Sequence, residues 1–192
     1  MENVKILIID CGSNFIKKAE EYFTKEKIFF SKIKVEELNS ENIEGYSHII
    51  ISGAPQLLTE VDTTLYLEKV NLLIKSALPM LGICFGHQII GMCFGAKISR
   101  GTERRGDEEI EILNPSKLFT NITTKVIIQQ EAHLEEITLP KEFKLLATSK
   151  RTKNEAMKHQ GKPIWGTQFH PEISGEVGQK IIKNFLEATQ HQ

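Results

Sequence analysis

The feature that most constrains this sequence is the stretch Gly82-Ile83-Cys84-Phe85-Gly86-His87-Gln88. It closes a short apolar run, 79–83, and leads into Ile89, Ile90, Met92, Cys93 and Phe94, which are apolar at helical spacing. A buried strand therefore runs straight into a helix, with Cys84 at the joint. So tight a joint crowds the backbone around its central residue. Glycine tolerates such crowding, and Gly82 and Gly86 stand on either side of the cysteine. This is the pattern of a nucleophile elbow with cysteine in the place of serine. The turn lifts the sulfur out of the backbone at a strand end. The helix beginning beside it offers free amide N–H groups and the positive end of its dipole, surroundings that favour a thiolate. Cys84 is the candidate nucleophile.

A nucleophile needs a base, and the chain supplies one far downstream. The run 163–169 reads as a strand ending in His170-Pro171-Glu172. The proline stops the ladder and holds the chain extended. Residues two apart in an extended segment point to the same side, so His170 and Glu172 can lie together. A carboxylate beside an imidazole fixes its tautomer and leaves the other ring nitrogen for the thiol. A His-x-Glu pair alone is a weak signal; its force comes from following a strand in a chain with a cysteine elbow.

The remaining sequence frames these two sites. At 192 residues a single domain over 1–192 is expected, large enough for a substantial core. A net charge of −1 gives no electrostatic reason to expect nucleic acid or a membrane surface as partner. No apolar run reaches bilayer-spanning length, and the N-terminus reads as a strand rather than a signal peptide. Three cysteines make a disulfide framework improbable and fit a reducing cytoplasm. His48, His87, His159 and His191 show no ligand-like grouping, so no metal site is expected.

In chain order, 4–9 reads as a strand buried on both faces, and Ser13 as the N-cap of a helix over about 14–26. Strands follow at 28–35 and 48–51. A helix capped by Asp62 or Thr63 runs to about Ala77, with Leu65, Val70, Leu72, Leu73 and Ile74 toward the sheet. Strands alternating with helices imply a doubly wound, mainly parallel α/β sheet flanked by helices, with ligands at the carboxyl ends of the strands. From Lys97 the texture changes to short β-like pieces at 97–99, 108–113, 125–128, 144–148 and 154–158, an antiparallel extension of that sheet. Between them 101–107, with Arg104 and Arg105, reads as a charged loop. A final helix over about 174–188 carries Val177, Ile181, Ile182, Phe185 and Leu186 on one stripe.

Taken together, the elbow, the late His-Pro-Glu, the Asp10-Cys11-Gly12-Ser13-Asn14-Phe15 turn and Ile51-Ser52-Gly53-Ala54-Pro55 resemble the class I (triad) glutamine amidotransferases over nearly the whole chain. The closest likeness is to the glutaminase of GMP synthase, carried also by Glu155-Ala156-Met157-Lys158-His159 and 166–172. The resemblance implies a flavodoxin-like fold and hydrolysis of L-glutamine to glutamate and ammonia through a Cys84 thioester. It makes Cys84, His170 and Glu172 the triad. It gives Phe85 N–H and the amide at Ala54 as oxyanion donors, and Gly53, Gln88 and His133 as substrate contacts. The partner it implies is an ATP-dependent, GMP synthetase-like subunit that holds ATP and magnesium. It implies no cofactor on this chain, and XMP as ammonia acceptor.

The chain departs from the family pattern in two places. The family usually has Gly directly before the Pro of the oxyanion turn, where this chain has Ala54, and a methyl there restricts a backbone flip or crowds the pocket. A Ser-His-x-Asp-like segment of the GMP synthases here reads Ala132-His133-Leu134-Glu135. His133 is then either a lining of the partner interface or an exposed loop histidine, and Gln88 either a substrate ligand or a capping or surface amide. Cys93 is expected in the core, and Cys11 as a small buried residue. Two other readings stand beside the glutaminase: a stand-alone thiol hydrolase such as a γ-glutamyl peptidase, and a non-catalytic regulatory relative.

Overall fold

Alternating burial along the first strand sets the architecture. In β1 (Lys5–Asp10), Ile6 and Ile8 point into one apolar cluster and Leu7 and Ile9 into another. A strand buried on both sides needs helices on both sides. Helices α1 (Ile16–Lys25) and α4 (Gly175–Glu187) supply the first cover, with Phe23, Ile181, Ile182 and Phe185. Helices α2 (Thr64–Lys75) and α3 (Phe85–Cys93) supply the second, with Val70, Leu73, Ile89 and Ile90. The computed structural model describes residues 4–188. Residues 1–3 and His191, on which two expectations above touch, lie outside them.

Besides β1, the sheet contains β2 (Phe29–Lys34), β3 (His48–Ile51), β4 (Met80–Ile83), β5 (Ile98–Ile112), β6 (Val126–Ile137), β7 (Phe143–Thr148), β8 (Ala156–His159) and β9 (Ile164–Thr167). Their order is β2-β1-β3-β4-β9-β8-β7-β5-β6. The first five are mutually parallel, and the rest join antiparallel from β8 onward. The expected doubly wound sheet with an antiparallel extension is therefore the fold observed. Among the described residues no helix is long and apolar enough to cross a membrane.

The extension differs from expectation in one large respect. The segment 101–107 is not a loop. It lies inside β5, which pairs with β6 from Ile98↔Ile137 to Glu111↔Val126, with a bulge between Arg100 and Arg104. β5 carries mostly polar side chains and β6 mixes polar with apolar ones, so hydrophobic periodicity passes over them, and Gly101 and Gly106 (φ +91°) imitate a turn. Smaller differences follow tertiary context. Helix α1 starts at Ile16, and Ser13 Oγ accepts from Phe15 N–H (3.1 Å) in the turn before it rather than capping it. Leu65 and Val177 are each 36% exposed, off the buried stripes assigned to them.

His48 of β3 meets Phe185 of α4 edge-on, with ring centroids 5.5 Å apart. Burial depresses its pKa to about 4, against a smaller opposing pull from the Leu186 carbonyl. The unfolded chain therefore takes up a proton that the folded one refuses. This contribution to stability is present above pH 6.5 and is lost as pH falls toward 4. Between pH 7 and 5, His48→Gln should lose less unfolding free energy than wild type by about 1–2 kcal/mol. Parallel thermal melts at the two pH values check this.

Candidate active site

Cys84 sits where β4 ends and α3 begins, with φ +51° and ψ −105°, a conformation that costs a non-glycine residue roughly 1–3 kcal/mol. Hydrogen bonds hold it there: Cys84 N–H donates to Thr167 O (2.8 Å) and Gln88 N–H to Cys84 O (3.0 Å). The two glycines let the turn close. A Cβ on Gly82 would stand 2.5 Å from the Gly86 backbone, and one on Gly86 2.4 Å from Ile51 O. Phe85 is the first residue of α3, so its N–H has no acceptor within the helix.

His170 and Glu172 come together as expected, by another route. The chain does not stay extended after β9. Pro171 opens a short 3₁₀ turn, Pro171–Ile173, for which its fixed φ is suited. His170 Nδ1 lies 2.7 Å from Glu172 Oε1, and both side chains are buried. Ser174 Oγ donates to His170 O (2.6 Å) and accepts from Gln130 N–H (2.8 Å), and His170 N–H donates to Gln130 O (2.8 Å). The imidazole's backbone is thus pinned to β6. Burial alone would lower the His170 pKa. The Glu172 carboxylate and the Cys84 sulfur outweigh it and raise the pKa well above the ordinary value. The protonated ring is therefore favoured, between the Cys84 sulfur on one side and Glu172 on the other.

Cys84, Phe85, Gln88, Ala54, His133 and His170 all line one cavity of about 340 Å³ at the carboxyl ends of the parallel strands. Gly53 and Glu172 stand behind its wall. A Cβ on Gly53 would come within 3.1 Å of His170 Cε1 and 3.7 Å of Cys84 Cβ. Gly53 therefore keeps room beside the Cys84 and His170 side chains. Ala54 is not among the residues with positive φ, so its methyl imposes no left-handed strain. His133 is not an exposed loop residue: it lies on β6 with a side chain only 4% exposed. Gln88 is not a surface amide either. It is 3% exposed, and its Nε2 donates to Glu135 O (2.6 Å) and Gln168 Oε1 (3.1 Å). Cys11 is buried with its thiol pushed up to about 12, chiefly by burial, and its N–H donates to Ser52 Oγ.

Four contributors escaped the sequence reading. Gln168 Nε2 lies 3.6 Å from Cys84 Sγ. It precedes His170 by two, so the alternation that paired His170 with Glu172 could have found it. Phe15 packs edge-on against His170, with centroids 4.9 Å apart. Ala132 O lies 3.8 Å from Cys84 Sγ, so β6 forms the wall opposite that sulfur. Glu135 ties β6 to the loop after Ala54-Pro55: its carboxyl oxygens accept from Leu58 N–H (2.6 Å), Thr59 N–H (2.9 Å) and Thr59 Oγ1–H. A glutamine there offers one acceptor oxygen and turns donors toward donors. Glu135→Gln should cost about 2 kcal/mol, a melting temperature lower by roughly 4–8 °C. A thermal melt of the purified variant decides it.

Comparison with known proteins identifies the family. The family model for glutamine amidotransferase class-I matches residues 7–189. A glutamine-hydrolyzing GMP synthase subunit of Pyrococcus abyssi is 35% identical over 187 residues, 94% of this chain and 96% of the relative. Its counterpart from Thermococcus kodakarensis is 36% identical over 189 residues, 95% and 97% of the two chains. A crystal structure from Thermoplasma acidophilum, provisionally named as a GMP synthase subunit, superposes with a TM-score of 0.87. It is 26% identical and covers 97% of this chain and 94% of its own. A family match of that extent, joined to relatives more than a third identical along nearly their whole length, makes the chain a member of the class-I glutamine amidotransferases.

Proposed function

We propose that this protein is the glutaminase subunit of a two-chain GMP synthase. In this reading Cys84, His170 and Glu172 form the catalytic triad, and ammonia passes to a separate ATP-dependent subunit that converts XMP to GMP. The observation that carries the chemistry is the strained cysteine at a helix N-terminus in one cavity with a buried His170–Glu172 pair. The acceptor rests on the names of the relatives. Magnesium and ATP belong to the partner, and the cytoplasm is the compartment where these nucleotides and reduced thiols coexist.

The thiolate of Cys84 attacks the side-chain amide carbon of glutamine, and the developing oxyanion takes hydrogen bonds from Phe85 N–H and the amide at Ala54. His170 as imidazolium gives its proton to the leaving nitrogen, and ammonia departs. The neutral ring then takes a proton from water as it attacks the thioester. Collapse of the second oxyanion releases glutamate and restores the thiolate–imidazolium pair. Glu172 holds the ring's Nδ1 side throughout, so Nε2 is always the nitrogen offered to the reaction. Gln88 and Gln168, hydrogen-bonded to each other beside the sulfur, set the floor on which the amide lies.

The test is ammonia release from glutamine by the isolated chain and by its mixture with a GMP synthetase subunit, ATP, magnesium and XMP. Release that rises with the partner and disappears in Cys84→Ala supports the whole reading. Partner-independent cleavage of γ-glutamyl peptides moves the protein to the stand-alone hydrolases. Silence in every mixture, with Cys84 unlabelled by a glutamine-analogue electrophile, leaves a non-catalytic relative.

A further inference from the structure

The mouth of the cavity carries two charged side chains that the reaction above does not use. Glu103 and Arg105 stand two apart on β5, and Ala132 and Leu134 two apart on β6, where Ala132 is the cross-strand partner of Arg105. Residues two apart on a strand share a face, and all four of these line the cavity. Ala132 is also the residue whose carbonyl lies 3.8 Å from Cys84 Sγ. Glu103 falls within the bulge between Arg100 and Arg104, a device that re-aims side chains next to a site. Arg105 Nε donates to Glu103 Oε1 (2.6 Å), and the two side chains are 74% and 58% exposed. Among the described residues, the terminal nitrogens of Arg105 and the second carboxyl oxygen of Glu103 have no hydrogen-bond partner. So exposed a pair adds little to stability, and the fold does not require it.

Of the residues lining the cavity, Arg105 is the only lysine or arginine, and Glu103 and Glu135 are the only carboxyl side chains. Glu135 is occupied by Leu58 and Thr59. Glu103 is therefore the carboxyl left with an oxygen to offer a ligand. We propose that Glu103 and Arg105 are the specificity-determining residues for the α-amino acid end of the substrate, Arg105 taking an α-carboxylate and Glu103 an α-ammonium. One step rests on the glutaminase reading: the substrate's side-chain amide lies against Cys84. The α-carbon of glutamine is three carbon–carbon bonds from that amide carbon, so both of its charges lie farther along the same cavity. The free end of a guanidinium presents parallel N–H donors to a carboxylate, and a carboxylate oxygen accepts from an ammonium. The protein pair has one charge of each sign side by side, and so has the ligand. An amide that lacks either charge leaves one protein group without its partner and is bound less well.

Binding tests this without turnover. Cys84→Ala, alone and mixed with a GMP synthetase subunit, is titrated by NMR with L-glutamine, with 4-aminobutanamide, which lacks the carboxylate, and with glutaramate, which lacks the ammonium. In that background Arg105→Gln should weaken L-glutamine about tenfold and change 4-aminobutanamide by less than about twofold. Glu103→Gln should weaken L-glutamine by a similar factor and leave glutaramate bound no less tightly. Because both side chains are exposed, neither variant should shift the melting temperature by more than about 2 °C. Equal losses for ligands with and without the matching charge overturn the proposal, and so does failure of L-glutamine to bind in either mixture. Kinetics add a second arm. In the partner-stimulated reaction with Cys84 intact, Arg105→Gln should raise KM for glutamine about tenfold, with kcat within about threefold and the half-saturating partner concentration unchanged. A rise in the partner concentration needed, with KM unmoved, makes the pair a docking contact and overturns the proposal. If glutamine binds through the pair but wild type releases no ammonia in any mixture, the glutaminase reading fails and the assignment of the pair stands.

Discussion

Cys84→Ala should lower the partner-stimulated release of ammonia from glutamine by about 10⁴–10⁶-fold, the loss expected when the proposed nucleophile of a covalent mechanism is removed. His170→Asn falls by a similar factor, because a thiol without its imidazole can neither hold its charge nor protonate the leaving nitrogen. Glu172→Gln loses less, about 10²–10⁴-fold, since the ring stays in place but its favoured tautomer and charge do not. The double variant Cys84→Ala, His170→Asn should be no worse than either single one, because the residues act as a unit. Glu172→Gln carries a second signature. Of the groups that raise the His170 pKa against burial, this carboxylate is the strongest. Without it the imidazole should titrate at lower pH, and the basic limb of the rate profile should move acidward. Rates measured from pH 6 to 9 with saturating partner show this. Residual activity in Cys84→Ala within tenfold of wild type would place the nucleophile elsewhere, and Cys93 and Cys11, both pushed up to about 12 by burial, are poor replacements.

How much of this was legible in the sequence depends on where apolar periodicity carries information. The parallel half reads correctly because its strands are buried on both faces, and Ile-rich runs such as His48–Ile51 have no other stable environment. The elbow reads correctly because two glycines and a cysteine at a strand–helix joint leave few alternatives. The β5–β6 arm does not read, since Arg104, Glu108, Gln129, Glu131 and Glu135 look like loop residues. Three of these, Gln129, Glu131 and Glu135, are buried, and burial of a polar side chain is decided by the tertiary fold, which single-strand patterning cannot show. The same blindness hid the part of the cavity wall that β5 and β6 supply. Glu135, which looked like a departure from the family's pattern, is the clamp on residues 58–59. His133, left between interface and surface, is buried beside the Glu131 carboxyl two residues back on β6.

Gly86→Ala should be the most destabilising single-methyl change among the elbow residues, with Gly82→Ala close behind. The added carbon of the first would lie 2.4 Å from Ile51 O and 3.0 Å from Ile51 C and Cβ, so α3 must lift away from β3. The carbon of the second would meet the Gly86 carbonyl at 2.5 Å and Ile90 Cδ1 at 2.6 Å. Both clashes involve backbone, which has no rotamer to change, so the cost exceeds ordinary overpacking and reaches about 4 kcal/mol or more. For a chain of this size that is a fall in melting temperature of roughly 8–16 °C. Gly95→Ala is the control. Nothing lies within 4 Å of its added carbon, and only the positive φ of +80° opposes it, at about 1–2 kcal/mol. The contrast separates close approach from backbone conformation as the reason for glycine at the elbow. Equal melting temperatures for Gly86→Ala and Gly95→Ala would refute the close-packed elbow. Because Gly82 and Gly86 touch each other, their double variant should lose less than the sum of the two. Once one methyl has forced α3 off the sheet, the space for the second already exists. The same movement carries Cys84 and Phe85 away from His170, so activity should vanish in these variants before the fold does.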